Sequence, residues 1–405
     1  MDEAGTGGGS PESAPTRSHR GANQSGIRDH NERVVLSLVR LHGSLSKSEI
    51  ARMANLSAQT SSVIMRQLET DGLLSRGEPQ RGKIGQPSIP MSLNPGGALF
   101  LGLKIGRRSA EVVMIDFLGQ VRGMRHHAYR YPTPADTVAF AIDAIASLRA
   151  PLSGEHDRRI AGLGIAMPFE LWNWAEHIGA SSADMEGWRS RDIRAELQQQ
   201  FSFPVYVQND ASSACGAELV FGQIGAPRDF IYFYIGAFAG GGVVLDGRLH
   251  VGPTGNAGAL GSMPVPGPDG RPVQLIDIAS LAVLERHIRA TGADASYLWT
   301  SPEDWDGHEP DCRAWVAQAG RALAYAIVSA SAVLDFAAAI IDGWMPAHIR
   351  AALVAATATS LAEIDVEGLQ LPAIREGTVG IHARAIGAAS LPLSERFLVG
   401  PATLT

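Results

Sequence analysis

"GLKIGRRSAEVVMID", residues 102–116, decides the fold. Two apolar runs flank Gly106-Arg107-Arg108-Ser109, the pattern of a β-hairpin that turns at those four residues. A third strand is predicted at residues 120–129, and "AFAIDAIASLRA" (139–150) follows as an amphipathic helix. "IAGLGIAMP" (160–168) reads as a buried strand, and "PVYVQNDASSACGAEL" (204–219) as a strand running into a helix. The hairpin pattern then returns in "RDFIYFYIGAFAGGGVVLDGRL" (228–249), and "AGRALAYAIVSASAVLDFAAAIIDG" (319–343) is again helix followed by strand. Two successive units of hairpin plus α/β elements predict a duplicated α/β body with a cleft between its halves, where ligands bind beside the strand ends.

A different periodicity precedes this body. In "NERVVLSLVRLHG" (31–43), Val34, Val35, Leu38 and Leu41 lie at helical spacing and Gly43 ends the run. Ser46 and Glu49 form an S-x-x-E capping box, which starts a second helix with Ile50, Ala51 and Ala54 on its buried face. Ser57 caps a third helix, with Val63, Ile64 and Leu68 expected to face inward. Two short helices joined at "NLS", the second opening on small polar residues, match the helix-turn-helix layout, whose second helix enters the major groove by its N-terminal end. Ser57, Gln59, Thr60, Ser61 and Arg66 are the expected contacts to bases and phosphates. Strands at residues 73–75 and 88–93 enclose a loop carrying Arg81, Lys83 and Gln86. That is a wing, and its side chains suit phosphates or the minor groove.

Charge agrees with this division. Residues 17–90 hold 11 Lys/Arg against 6 Asp/Glu, a balance of +5, while the rest of the 405-residue chain carries −12. A basic N-terminal block on an acidic body points to a local nucleic-acid contact. The expected organisation is a leader at 1–26, rich in Gly, Ser and Pro and without an apolar signal core, a winged helix-turn-helix at 27–94, and the two-lobed body at 95–405. Two cysteines, Cys215 and Cys312, lie far apart outside any CxxC spacing, which argues against a disulfide framework or a cysteine-ligated zinc and for a cytoplasmic protein. The longest apolar stretch, residues 324–343, is broken by Asp335 and is a buried helix and strand rather than a membrane span.

"VQNDASSACGAELVFG" (207–222), "IGAFAGGGVVLDGRLHVGPTGNAGALG" (235–261), "VLDFAAAIIDGWMP" (333–346) and the wing segment "RGKIGQPSIPMSLNP" (81–95) together resemble the ROK family of repressors, open reading frames and sugar kinases. The resemblance spans residues 30–400. It implies an actin/hexokinase-like (ribonuclease H-like) α/β body behind a winged helix-turn-helix. It also implies that Asp210, next to Asn209, stands where family kinases keep the base for the sugar hydroxyl.

Against that pattern the phosphate machinery is altered. Family kinases resemble D-x-G-G-T at the first hairpin, and this chain has Lys104-Ile105-Gly106-Arg107-Arg108. A lysine repels Mg²⁺ where a carboxylate would hold it, and the arginines take space the phosphates need. The second turn, usually G-T-G, is Gly236-Ala237-Phe238. On the sugar side, G-x-A-G-E-I-G-H becomes residues 255–262, with Ala259 for the Glu and Ser262 for the His, leaving Asn256 and Gly258 beside Asn209 and Asp210 as expected ligand contacts. The family's zinc loop is replaced by "PVPGPDGRPVQLID" (264–277), so neither zinc nor any other cofactor is expected. The reading is a transcriptional repressor of carbohydrate-related genes, with Asp210 vestigial, a sugar or polyol effector, and a homodimer or homotetramer on palindromic double-stranded operator DNA. Two alternatives stay open: an ATP-dependent carbohydrate kinase with an appended DNA-binding domain, and a ligand-independent DNA-binding protein. Trp172, Trp174 and Trp188 cluster in sequence near the expected cleft mouth, where packing competes with sugar stacking.

Overall fold

The computed structural model describes residues 24–79, 88–169, 171–174, 180–222, 227–306 and 309–400. The head begins with helix α1 (Gln24–His42), which stops at Gly43 in the left-handed conformation. Short strand β1 (Ser44–Leu45) leads to helix α2 (Lys47–Met53). Ser46 caps α2 with both halves of the capping box formed, its side chain taking the Glu49 N–H and Glu49 taking the Ser46 N–H. Helix α3 (Ala58–Thr70) is capped by Ser57, and strands β2 (Leu74–Arg76) and β3 (Met91–Leu93) complete a three-stranded sheet in the order β1-β3-β2.

The body is two five-stranded sheets built alike. The first contains β4 (Leu99–Ile105), β5 (Ser109–Asp116), β6 (Val121–Ala128), β7 (Ile160–Met167) and β8 (Val205–Asn209), in the order β6-β5-β4-β7-β8. The second contains β9 (Phe230–Ile235), β10 (Ala239–Leu245), β11 (Arg248–His250), β14 (Ala338–Gly343) and β15 (Ala373–Glu376), in the order β11-β10-β9-β14-β15; the small β12–β13 hairpin (Pro264–Pro266 and Pro272–Gln274) lies outside both. Each sheet has an antiparallel hairpin on one side of its central strand and parallel partners on the other. The duplication expected from the two hairpin patterns is present. β4 and β5 are buried along their whole length, as their unbroken apolar runs require. The helix-then-strand reading of residues 319–343 also holds, as helix Glu309–Ser331 followed by β14.

Helix α4 (Pro134–Arg149) covers the first sheet, and helix α5 (Asp210–Phe221) follows β8. The last helix, α6 (Ala383–Phe397), packs on α5, β4 and β7 at backbone distance. A Cβ added at Gly164 would lie 1.8 Å from the Ala388 carbonyl oxygen, and one at Gly387 would lie 1.8 Å from that of Ser213. Only hydrogen fits at these two positions.

The core of the head is continuous with that of the body. Val35, Leu38, Ile64 and Leu68 belong to one buried cluster with Phe100, Phe117, Ala385, Ala389 and Leu393 of the body. Phe397 closes it, its ring 5.7 Å from Phe100 and 5.1 Å from Phe117. Polar contacts reinforce the join: Arg33 Nε donates to the Leu398 carbonyl at 2.8 Å, the Val399 N–H to Ser37 Oγ at 2.9 Å, and Arg40 Nη2 to the Phe117 carbonyl at 2.8 Å.

Candidate DNA-binding surface and interlobe cleft

On α3, Gln59, Thr60 and Arg66 are exposed. Ser57 is exposed too, but its hydroxyl accepts the Thr60 N–H at 3.0 Å and lies 2.8 Å from Thr60 Oγ1, so its first task is capping. Two expectations are corrected. Ser61 is fully buried and its hydroxyl donates to the Lys47 carbonyl at 3.3 Å, tying α3 to α2, so it cannot reach a groove. Val63, expected inside, is 55 % exposed. Gln59, Val63 and Arg66 fall at i, i+4 and i+7, one stripe of the helix, opposite the buried Ile64, Met65 and Leu68. Arg81, Lys83 and Gln86 lie outside the described residues, although β2 and β3, which flank them, pair antiparallel.

In the body, Asn209 rather than Asp210 caps α5, its side-chain oxygen accepting the Ala211 and Ser212 N–H groups. Asp210 is buried and paired with Arg384, Oδ2 to Nη1 at 3.2 Å. The carboxylate that a kinase would turn toward a sugar hydroxyl therefore faces a guanidinium. Asn256 is exposed on the loop after β11, and Gly258, with φ +82°, lets that loop press against β10 at Gly242. No contact joins Asn256 to Asp210 among those described. Trp188 is core, its indole N–H donating to the Pro132 carbonyl at 3.0 Å; Trp172 is half-buried beneath Arg189; the Trp174 side chain lies outside the described residues.

The two altered phosphate turns meet. The Arg107 guanidinium lies 4.3 Å from the centre of the Phe238 ring, a cation stacked on an aromatic face across the cleft. Lys104 is buried in β4; its Nζ donates to Ser109 Oγ at 2.7 Å and sits 5.5 Å from the Trp344 ring. Burial, with help from Arg384, pulls the Lys104 ammonium down to about 7, against the opposing pull of Glu111 and Asp210. Arg108 donates to the Arg130 carbonyl at 2.9 Å and lies 3.8 Å from Glu285. Nearby, His382 Nδ1 is 3.2 Å from the Glu111 carboxylate. Burial opposes charging of both, yet their hydrogen bond and attraction win, raising the imidazole and lowering the carboxyl.

Sequence reasoning found Lys104, Arg107, Phe238 and Asp210 from their places in motifs. It missed Arg384, His382, Trp344 and Glu111. The first three come from late in the chain and reach the cleft only through tertiary packing. Among the described residues no group of three His, Cys, Asp or Glu side chains is placed to hold a metal, and no helix is long and apolar enough to cross a membrane.

Residues 100–395, nearly three quarters of the chain, match the ROK family. The chain belongs to the ROK family. Residues 28–75 of this ROK protein match the winged helix-turn-helix DNA-binding family. It is 25 % identical over 378 residues to an uncharacterized protein of Sinorhizobium fredii, covering 91 % of this chain and 92 % of that one. It is 22 % identical over 239 residues to the xylose repressor of Caldicellulosiruptor bescii, spanning 59 % of each chain. A crystal structure of a ROK family transcriptional regulator, described as a homologue of the E. coli MLC protein, superposes with a TM-score of 0.65 at 19 % identity, over 93 % of this chain and 99 % of that one. That likeness establishes the shared fold.

Proposed function

We propose that this ROK protein is a sequence-specific DNA-binding transcriptional regulator, a repressor of carbohydrate-related genes, whose body senses a ligand instead of phosphorylating one. The observation that carries the reading is the pairing of Arg107 with Phe238. Each stands where a kinase needs open backbone for phosphate, and the guanidinium lies over the ring face between the two turns. Lys104 in place of the metal-binding acid and Asp210 paired with Arg384 support the same reading. Against this body the head keeps an exposed stripe of Gln59, Val63 and Arg66 suited to a major groove. The similarity to a xylose repressor supports the carbohydrate connection. In this reading Ser57 and Thr60 at the α3 N-terminus contact phosphates, with Ser57 also capping the helix, and Arg81, Lys83 and Gln86 supply the wing. A two-fold dimer, or a tetramer made of such dimers, places two heads on a palindrome.

The test is retention of the protein's own promoter fragment on a gel. Arg66→Ala weakens binding, and Lys83→Ala lowers the salt slope by about 1. Unchanged retention in both variants overturns the DNA assignment. A coupled assay with ATP, Mg²⁺ and a panel of sugars tests the body. Turnover abolished by Asp210→Asn would restore the kinase reading.

A further inference from the structure

The helix that opens the head lies across the far ends of two body helices. α5 and α6 run side by side in the same direction: Asp210 meets Arg384, Ser213 meets Gly387 and Gly216 meets Ser390, each pair 174 positions apart. Their last residues, Phe221 and Phe397, pack on the core that head and body share. α1 carries Arg33, Ser37 and Arg40 at i, i+4 and i+7, one stripe of the helix, and all three reach across that join. Arg33 donates to the carbonyls of Leu398, at 2.8 Å, and Ser394, at 3.5 Å, while Ser37 accepts the Val399 N–H. Arg40 donates to the Phe117 carbonyl, its guanidinium lies 5.3 Å from the centre of the Phe221 ring, and its Nε is buried without an acceptor. The other side of the head is held as well. Gly72, in the turn that ends α3, lies beneath the Arg159 guanidinium of the body, where a Cβ would come within 2.8 Å, and its carbonyl takes the Asn94 amide at 2.7 Å. Arg159 in turn donates to the Gly96 carbonyl at 3.2 Å.

We propose that Arg33, Ser37 and Arg40 are positioning residues that fix the angle of the head on the body and thereby set the spacing of operator half-sites that the protein accepts. The inference rests on the reading of this protein as a DNA-binding regulator that presents two heads to a palindrome. None of the three residues faces a groove: they lie against the body, while Gln59, Val63 and Arg66 form the outward stripe of α3. Polar groups are an expensive way to secure such a join. Burial pulls the Arg40 guanidinium down to about 10, with Asp116 pulling the other way, and Asp116 is itself paired with Arg122. Apolar side chains alone would hold the two parts together as firmly; hydrogen bonds to carbonyls add a single direction and register. One base pair inserted between half-sites moves one of them by about 3.4 Å and turns it by about 35°. Heads clasped to the body cannot follow both changes, whereas heads hinged on residues 94–98 alone can.

The experiment uses the full chain and an operator that the parent protein selects from a random pool. Versions of that operator with the half-sites one and two base pairs closer or further apart are compared with a single half-site for retention on a gel. The parent loses about a hundredfold in affinity when the spacing changes, because the two heads no longer engage together. Arg33→Met and Arg40→Met each reduce that loss to about tenfold or less, and leave affinity for the single half-site within about twofold of the parent. Arg40→Lys, which still donates to the Phe117 carbonyl, keeps most of the preference. Thermal melting confirms that each variant is folded, and the two clasps are separate, so either Met variant carries the test by itself. A role in stability alone lowers the melting temperature and leaves the spacing preference as in the parent; that result overturns the proposal. So does an equal fall in affinity for every spacing and for the half-site. If the parent retains no DNA at all, the regulator reading falls and this inference with it. If the parent binds without regard to spacing, the regulator reading stands and the inference falls.

Discussion

Arg384 Nη1 lies 3.2 Å from Asp210 Oδ2, joining the first turn of α6 to the first turn of α5 across 174 positions of sequence. The pair is buried on both sides and the guanidinium also lies 4.8 Å from the centre of the Tyr234 ring. Removing one partner strands the other. Arg384→Ala is therefore expected to cost about 3–5 kcal/mol, and the double variant Arg384→Met with Asp210→Asn to recover much of that loss. Urea unfolding of the three proteins measures both effects; a double variant no better than the single one would show that the two side chains are not coupled.

Lys104 makes stability depend on pH in a definite direction. Its folded value, about 7, is below the ordinary 10.5, so the unfolded chain holds a proton that the folded chain lacks between those values. Stability from this group rises with pH across that window, and the burden is full below about 7. Lys104→Met should raise stability by about 1–3 kcal/mol at pH 6 and by progressively less toward pH 10. Melting temperatures across that range check the trend.

His382 and Glu111 behave oppositely. The imidazole is raised above its ordinary 6.5, so its contribution is complete below 6.5 and fades as pH climbs through the folded value. The carboxyl is lowered below its ordinary 4.5, so its contribution is complete above 4.5 and fades as pH falls through the folded value. The pair is strongest between about 4.5 and 6.5. Glu111→Gln is expected to cost about 1 kcal/mol there, a modest figure because His382 is partly exposed, and less on the alkaline side. A melting profile that shifts equally at pH 5.5 and pH 9 would exclude the ion pair.

Val63 projects an apolar side chain from the stripe that Gln59 and Arg66 share. A β-branched group there suits the methyl of a thymine. Val63→Ser should leave melting within about 0.5 kcal/mol of the parent, as for an exposed site, while lowering discrimination at one thymine by about 1–3 kcal/mol. Selection of binding sequences from a random pool reads this directly. An unchanged consensus would remove Val63 from the interface.

Gly164→Ala and Gly387→Ala each drive a methyl into a carbonyl oxygen at 1.8 Å. Neither helix nor sheet can step aside cheaply, so each change is expected to cost more than about 3 kcal/mol. Soluble yield and melting temperature report it; a neutral result would mean that α6 sits further from β7 and α5 than described.

Much of this was legible in the chain itself. The S-x-x-E box at Ser46, the cap at Ser57 and the repeated hairpins at Gly106 and Gly236 are local signals, and each appears where local chemistry puts it. Ser61 and Val63 were exchanged for a local reason too. A small hydroxyl can be buried when a neighbouring carbonyl accepts it, and a branched apolar residue is tolerated outside when its helical angle points away from Ile64 and Leu68. Arg384, His382 and Trp344 were beyond reach, because no spacing within their own segments signals a cleft formed by residues 104–111.

The glycine contacts beneath α6 have one more implication. Where α6 meets its neighbours' main chain, at Gly164 and Gly387, no side-chain layer lies between to absorb a push. A displacement at Arg384 would have α6 as its path, through the turn that contains Pro392, to the ring cluster around Phe397.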